Sequence, residues 1–264
     1  MRNKIGTHHT MHTLKNWRCA WLLAFALCAT AGLAPAAHGG LPDYSGWDQL
    51  LLQNVRDGYV DYDGIRADPQ FDAFIAALAR APGEFGSPAE ELAYYINAYN
   101  AFAIRGILDG YSPDTRFGRF RFFKTRTYRL AGENITLDEL EHQRIRPMGD
   151  ARSHFAISCA SISCPRLLNR AYLPETLDAQ LDDAARRFVN DITRNDFDIA
   201  QRTAFVSPIF DWFHEDFEHA AGTLPEFLAR YTEEPAARAA LLEGRLAIRH
   251  LPYDWDLNGH YSGE

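Results

Sequence analysis

SPAEELAYYINAYNAFAIRGIL, Ser87 to Leu108, decides how the rest of the chain is arranged. Ser87-Pro88-Ala89-Glu90 has the form of a helix N-terminus: a serine oxygen for the orphan amides, proline at the first helical position where its missing N–H costs nothing, and glutamate three residues on. Beyond it apolar residues fall nearly all round the helical wheel until Asp109-Gly110 stops the run. A helix apolar on every side belongs in the middle of a core. Asn97 and Asn100 interrupt it three residues apart, so their amides share a face. A buried amide left unpaired costs about 1–3 kcal/mol. The two asparagines therefore either tie the helix to a neighbouring loop or orient a catalytic side chain.

Towards the N-terminus, Phe71, Phe74, Ile75 and Leu78 follow Asp68-Pro69 at helical spacing, and so do Trp47, Leu50, Leu51 and Val55 before Asp57-Gly58. A short extended piece closed by a turn, Tyr59 to Gly64, separates these two predicted helices. Towards the C-terminus, Arg116–Lys124 and Thr127–Leu130 read as strands, the second turning through Ala131-Gly132-Glu133-Asn134 to Ile135. Thr136-Leu137-Asp138-Glu139 caps a helix that Pro147 stops near Arg146. His154 to Ser158 reads as a short buried strand, Pro174–Asn190 as a long helix, and Thr203–Val206 and Leu246–Leu251 as strands. Between those two strands, an aromatic helix over Ile209–Phe217 precedes two shorter helices near 224–231 and 235–242. With no repeat, low-complexity tract or linker, the reading is one α+β domain over residues 44–258, mostly helical with a small, largely antiparallel sheet.

The first 37 residues differ in kind. Arg2, Lys4, Lys15 and Arg18 come with no acid, then Ala20–Leu33 is almost wholly apolar, then Ala34-Pro35-Ala36-Ala37 follows. This predicts a cleaved secretory signal peptide and a periplasmic or secreted protein. The apolar run is shorter than the ~20 residues a membrane span needs, so no stable span is expected after cleavage. Loss of the four leader cations takes the net charge from −8 to −12, which argues against nucleic acid and anionic membranes as partners. A small molecule, a peptide or an envelope component is the expected ligand.

Chemistry concentrates in Arg152–Leu167, RSHFAISCASISCPRL. Once the leader is removed, Cys159 and Cys164 are the remaining cysteines, and they read either as a disulfide in an oxidising compartment or as thiols. A thiol nucleophile needs a base, and the base needs a third group to orient it. Cys159 follows the predicted strand at a small-residue turn. His142 is the expected base, on the preceding polar helix with Glu141 and Arg146, and Asn97 or Asn100 would orient it. In an α-helix His142 and Arg146 share a face, four residues apart. His154 on an extended segment would lie ~16 Å from Cys159, out of direct reach. Cys164 before Pro165 is a second nucleophile candidate at a helix start, and Ser161 a third. Arg146, Ser161, Cys164 and His154 are the expected substrate-binding set. The cysteine spacing fits no usual zinc pattern and no His-Glu-x-x-His occurs, so neither metal nor cofactor is expected. His214, Glu215 and Asp216 read as a solvated helix face.

Five ordered blocks, YYINAYNAFAI, TLDELEHQRIRP, HFAISCASISCP, VSPIFDWFHEDF and LPYDWDLN, make the chain resemble the domain-of-unknown-function 547 family. That family covers secreted bacterial proteins and plant domains attached to coiled coils, and its name assigns no activity. The resemblance to the plant members, with cysteine at the position of Cys159 but serine at that of Cys164 and no counterpart of His154, implies that a disulfide is not the family's common device. It favours Cys159, Glu141, His142, Asn97 and Asn100 as site residues. The functional expectation is a thiol-dependent hydrolase or acyl transferase acting on amide or ester bonds, its cysteine, histidine and asparagine analogous to those of papain-type enzymes. The alternative is a non-enzymatic envelope binding or scaffold domain with a structural Cys159–Cys164 disulfide.

Overall fold

The computed structural model describes residues 40–80 and 82–263, and the expected leader lies outside them. The chain opens with α1 (Ser45–Asn54), β1 (Val55–Arg56), β2 (Tyr59–Asp61), α2 (Tyr62–Ala67) and α3 (Pro69–Leu78). The long apolar helix is α4 (Pro88–Leu108), started by Ser87, whose side chain accepts from the Glu90 amide at 3.2 Å. Glu90 turns outward to the Gly86 amide, so only half of the box forms. From Leu92 to Ile107 every residue except Tyr95 and Arg105 is buried, as expected of a central helix.

The stretch expected as a strand before the hairpin is helical instead. It forms α5 (Arg116–Arg119), capped by Thr115, and then a π-helical turn over Phe120–Thr125. The cause lies in α4: Gly106 leaves a gap into which Phe122 packs so closely that a Cβ there would sit 2.8 Å from its ring. The hairpin forms, β3 (Thr127–Leu130) against β4 (Glu133–Thr136), but Glu133 and Asn134, expected in the turn, pair within the second strand. Ala131 and Gly132 both take positive φ, as a tight two-residue turn requires. A complete capping box between Thr136 and Glu139 starts α6 (Leu137–Leu140), which continues as a π turn (Glu141–Ile145) and a 3₁₀ turn (Arg146–Met148).

Residues expected to open a buried strand form a 3₁₀ helix, Ala151–Phe155, capped by the Asp150 carboxylate. Then come α7 (Leu177–Val189), β5 (Asp196–Asp198), β6 (Thr203–Val206), α8 (Ile209–Trp212), α9 (His214–Ala221), α10 (Leu224–Tyr231), α11 (Pro235–Leu242), β7 (Ala247–His250) and β8 (Gly259–His260). The expected aromatic helix is thus broken at Phe213, whose φ of −121° leaves the helical range.

The fold is α+β and mostly helical, with its strands divided among three small sheets, β1-β2-β8, β3-β4 and β5-β6-β7. The β2–β8 and β6–β7 pairs are parallel and the other pairs antiparallel. Ordered pairing runs past Asn258, because Gly259 opposes Val60 and the Tyr261 hydroxyl donates to the Leu108 carbonyl at 2.9 Å. Among the described residues no helix is long and apolar enough to cross a membrane.

Two apolar clusters organise the molecule. One surrounds α4, and the other gathers Phe155, Phe188, Phe210, Phe217 and Phe227. Ala151 and Phe155 belong to the second, whereas Ala156, Ile157 and Ala160 belong to the first. The segment leading to Cys159 therefore crosses the seam between the cores, and a strand with one buried face cannot feed both. That seam is where the site lies.

Candidate active site

The turn carrying Cys159 is held from four sides. Asn100 on α4 donates to the Ala156 carbonyl at 2.9 Å and accepts from the Ser158 amide at 2.8 Å, gripping the chain as a neighbouring strand would. Arg194 donates to the carbonyls of Ile162 and Cys164. The tail takes the amides of Ile162 and Ser163 on the carbonyls of Asp256 and Asp254, and the Asn258 amide donates to the Ala160 carbonyl. From within the turn, the Cys159 amide points at the Cys164 sulfur, 2.7 Å away. So fastened, Ala160 is kept at φ 62°, a left-handed conformation rare for alanine. Strain of this kind costs ~1–3 kcal/mol and persists only where the surroundings impose it.

Cys159 and Cys164 are both free thiols. Cys159 is half-buried and borders a cavity of about 370 Å³, whose walls include Tyr99, Glu141, His154, Phe213, Tyr253 and Trp255. The Ser161 and Tyr253 hydroxyls lie 3.1 and 3.3 Å from its sulfur. Burial pushes this thiol up, but hydrogen bonding from Cys164, Ser161 and Tyr253 outweighs burial and leaves it below its ordinary value. Cys164 is driven the opposite way, first by burial and then by its neighbour. Tyr253 is held protonated, chiefly by burial, and so stays a donor.

The π turn after α6 sets which polar side chain enters the cavity. Its amide of Arg146 bonds the carbonyl of Glu141, five residues back. That wider turn swings Glu141 round towards the side of Arg146. Glu141 is 9% exposed, and burial, followed by the charge of Cys159, raises its carboxyl to about 8. At neutral pH it carries a proton. His142 is turned to solvent instead, with its Nδ1 3.0 Å from the Asp138 carbonyl oxygen, and it does not border the cavity. An ordinary α-helix would have put His142, not Glu141, on the face of Arg146.

His154 borders the cavity with Cys159, because the 3₁₀ helix shortens the separation that an extended chain would impose. Its ring stacks on Phe213 at 4.0 Å, and its Nε2 lies 2.7 Å from Asp216 Oδ2. Asp216 also receives Arg146 through two bonds, of 2.8 and 3.0 Å. These partners, His154 first, hold the Asp216 carboxyl well below its ordinary range. Asp216 is thus ionised and accepts the Nε2 proton, while burial lowers the imidazole and keeps it neutral. The bare Nδ1 then faces Glu141 Oε1 at 3.8 Å. His214 and Glu215 are exposed as expected, but Asp216 is an anchor of the site and not part of a solvated face.

Asn97 takes the loop-tying role. Its oxygen accepts from Trp47 Nε1 and the Tyr172 amide, and its nitrogen donates to the carbonyls of Ala93 and Tyr172. Among the described residues neither asparagine bonds a histidine. Tyr253, Trp255 and Arg119 are site residues that the sequence reading does not name as candidates, and Asp216 enters it only as part of a solvated face. The first two stand in the block LPYDWDLN, whose crowding of aromatic and acidic residues at a chain end was the available signal. Among the described residues no group of three or more His, Cys, Asp or Glu side chains is placed to hold a metal ion.

The profile of the family described as "Protein of unknown function, DUF547" matches residues 84–189. Over that segment the chain matches the DUF547 family. The matched segment carries α4, both π turns, His154 and the Cys159 turn, whereas Asp216, Tyr253 and Trp255 lie beyond it. No curated protein and no solved structure matches the chain.

Proposed function

We propose that the protein is a thiol-dependent hydrolase or acyl transferase for amide or ester bonds, with Cys159 as nucleophile and Glu141 as proton carrier. One observation supports this most: a thiol lowered by hydrogen bonds and a carboxyl kept protonated by burial border the same cavity. Titrating groups whose environments push them in opposite directions are the usual arrangement for acid–base work. In this reading the Cys159 thiolate adds to the carbonyl carbon, and Glu141 gives its proton to the departing amine or alkoxide, leaving a thioester. Water or another acceptor then attacks that thioester, returns a proton to Glu141 and releases the thiolate. The Ser161 and Tyr253 hydroxyls steady the thiolate between turnovers. His154, fixed by Asp216, sits behind Glu141 and replaces His142 as the histidine best placed to tune the acid. The export inferred from the leader belongs to the same proposal and places the substrate outside the cytoplasm.

The test is acylation by a generic activated ester. On incubation with nitrophenyl esters, the peptide containing Cys159 should gain the mass of the acyl group, and Cys159→Ala should gain none while keeping the native circular dichroism spectrum. No adduct on Cys159, with the thiol intact, refutes the proposal and favours a binding domain without turnover.

A further inference from the structure

The cavity beside Cys159 is apolar on most sides, yet one end carries a cation with no acidic partner. Arg119, the last residue of α5, borders the cavity and forms no ion pair among the described residues. Its Nη1 donates to the carbonyls of Pro113 and Asp114 at 3.2 and 3.4 Å, while Nε and Nη2 have no hydrogen-bond partner there. That unoccupied edge of the guanidinium is the fork that receives both oxygens of a carboxylate. The other cation on the wall, Lys124, is already paired with Asp138 at 2.7 Å. Asp138 is thereby neutralised and Glu141 holds its proton, so besides the Cys159 thiolate the unpaired charge bordering the cavity at neutral pH is that of Arg119.

Aromatic contacts lead from the thiol to this arginine without a break. The Tyr253 hydroxyl is 3.3 Å from the Cys159 sulfur, the Tyr253 and Trp255 rings are 4.5 Å apart, and the Arg119 guanidinium carbon stands 4.5 Å over the Trp255 ring. Held over an aromatic face, an arginine is pre-organised and less hydrated than a free one. The chained contacts keep it within ~15 Å of the sulfur, the reach of four to five extended residues. The local composition agrees: residues 115–126, TRFGRFRFFKTR, hold five cations and no acid in a chain of net charge −8. Phe120 of this lip borders the cavity and is 54% exposed.

We propose that this site takes substrates whose apolar body ends in a carboxylate, which Arg119 binds while the reacting carbonyl lies at Cys159. The inference rests on the thiol chemistry proposed above and names its substrate class. The carboxylate has two possible sources, a peptide C-terminus and an acyl chain ending in an acid, and both share this chemistry.

Two pairs of thiol-directed probes test it. Chloroacetyl-dileucine is compared with its C-terminal amide, and ω-chloroacetamido-octanoic acid with its methyl ester. Each rate of Cys159 alkylation is divided by that variant's own rate with iodoacetamide. The acid should exceed its neutral partner by about tenfold in at least one pair, as expected for a charge-assisted contact that is partly solvated. The pair showing the preference identifies the source, peptide or acyl chain. Raising the salt should shrink the preference, Arg119→Gln should abolish it, and Arg119→Lys should keep part of it. Equal normalised rates for acid and neutral probes, or a preference that survives in Arg119→Gln, overturn the inference. If iodoacetamide fails to alkylate Cys159 in the unmodified protein, the thiol reading beneath it fails as well, which separates the two.

Discussion

Replacing Glu141 by glutamine should stabilise the protein by an amount that grows with pH. The carboxyl has an ordinary value of 4.5 and is raised to about 8 in the fold, burial being the largest cause. Below pH 4 it is protonated in both folded and unfolded chains, and glutamine mimics that state, so the two proteins should differ little. Between the two values the folded protein holds a proton that the unfolded chain has released, so stability falls as pH rises. Each tenfold difference in proton affinity between the folded and unfolded chains corresponds to about 1.4 kcal/mol, which makes the loss roughly 3 kcal/mol at pH 6.5 and on the order of 4–5 kcal/mol above pH 8.5. Glutamine removes this titration and nothing else ionisable. Urea denaturation of both proteins at pH 4, 6.5 and 9 measures the difference, because titrating groups away from Glu141 cancel. Since the charge of Cys159 is the second cause, the gain should shrink in a Cys159→Ala background. A gain independent of pH, or a glutamine variant that becomes less stable as pH rises, would refute a protonated Glu141 and with it the acid of the proposed mechanism.

Two further outcomes follow from the turn and its supports. Asn100→Ala strips partners from the buried Ala156 carbonyl and Ser158 amide, so it should cost about 2–4 kcal/mol in urea denaturation and slow iodoacetamide alkylation of Cys159; Asn97→Ala should cost stability while leaving the alkylation rate in place. Tyr253→Phe removes a hydroxyl 3.3 Å from the sulfur, so the midpoint of Cys159 alkylation against pH should rise, by on the order of one pH unit; an unchanged or lower midpoint would show that Tyr253 does not stabilise the thiolate.

Reading residues alone placed most local elements correctly and misplaced the chemistry around them. The start of α4 at Ser87-Pro88, the capping box of Thr136 and Glu139 and the Ala131-Gly132 turn were all legible, because each depends on side chains within three or four residues of the backbone they cap. The strand expected from Arg116 became helical because Phe122 packs into the gap at Gly106, a contact across sixteen residues that no local preference encodes. The placing of Glu141 turned on one hydrogen bond: with the spacing of an α-helix it points well away from Arg146, whereas the wider π turn brings it round towards that side.

What the sequence by itself determined is the chemistry available: a central apolar helix with two asparagines, a thiol-rich turn, a polar helix before it and an aromatic tail after it. These are local facts of composition and periodicity. The tertiary structure decided which groups meet. Asp216 reaches His154 across sixty-two residues, and Tyr253 reaches Cys159 across ninety-four. Such pairs form only when two cores close against each other, and the burial that results, rather than residue type, is what leaves Glu141 protonated beside a thiol lowered by its hydrogen bonds.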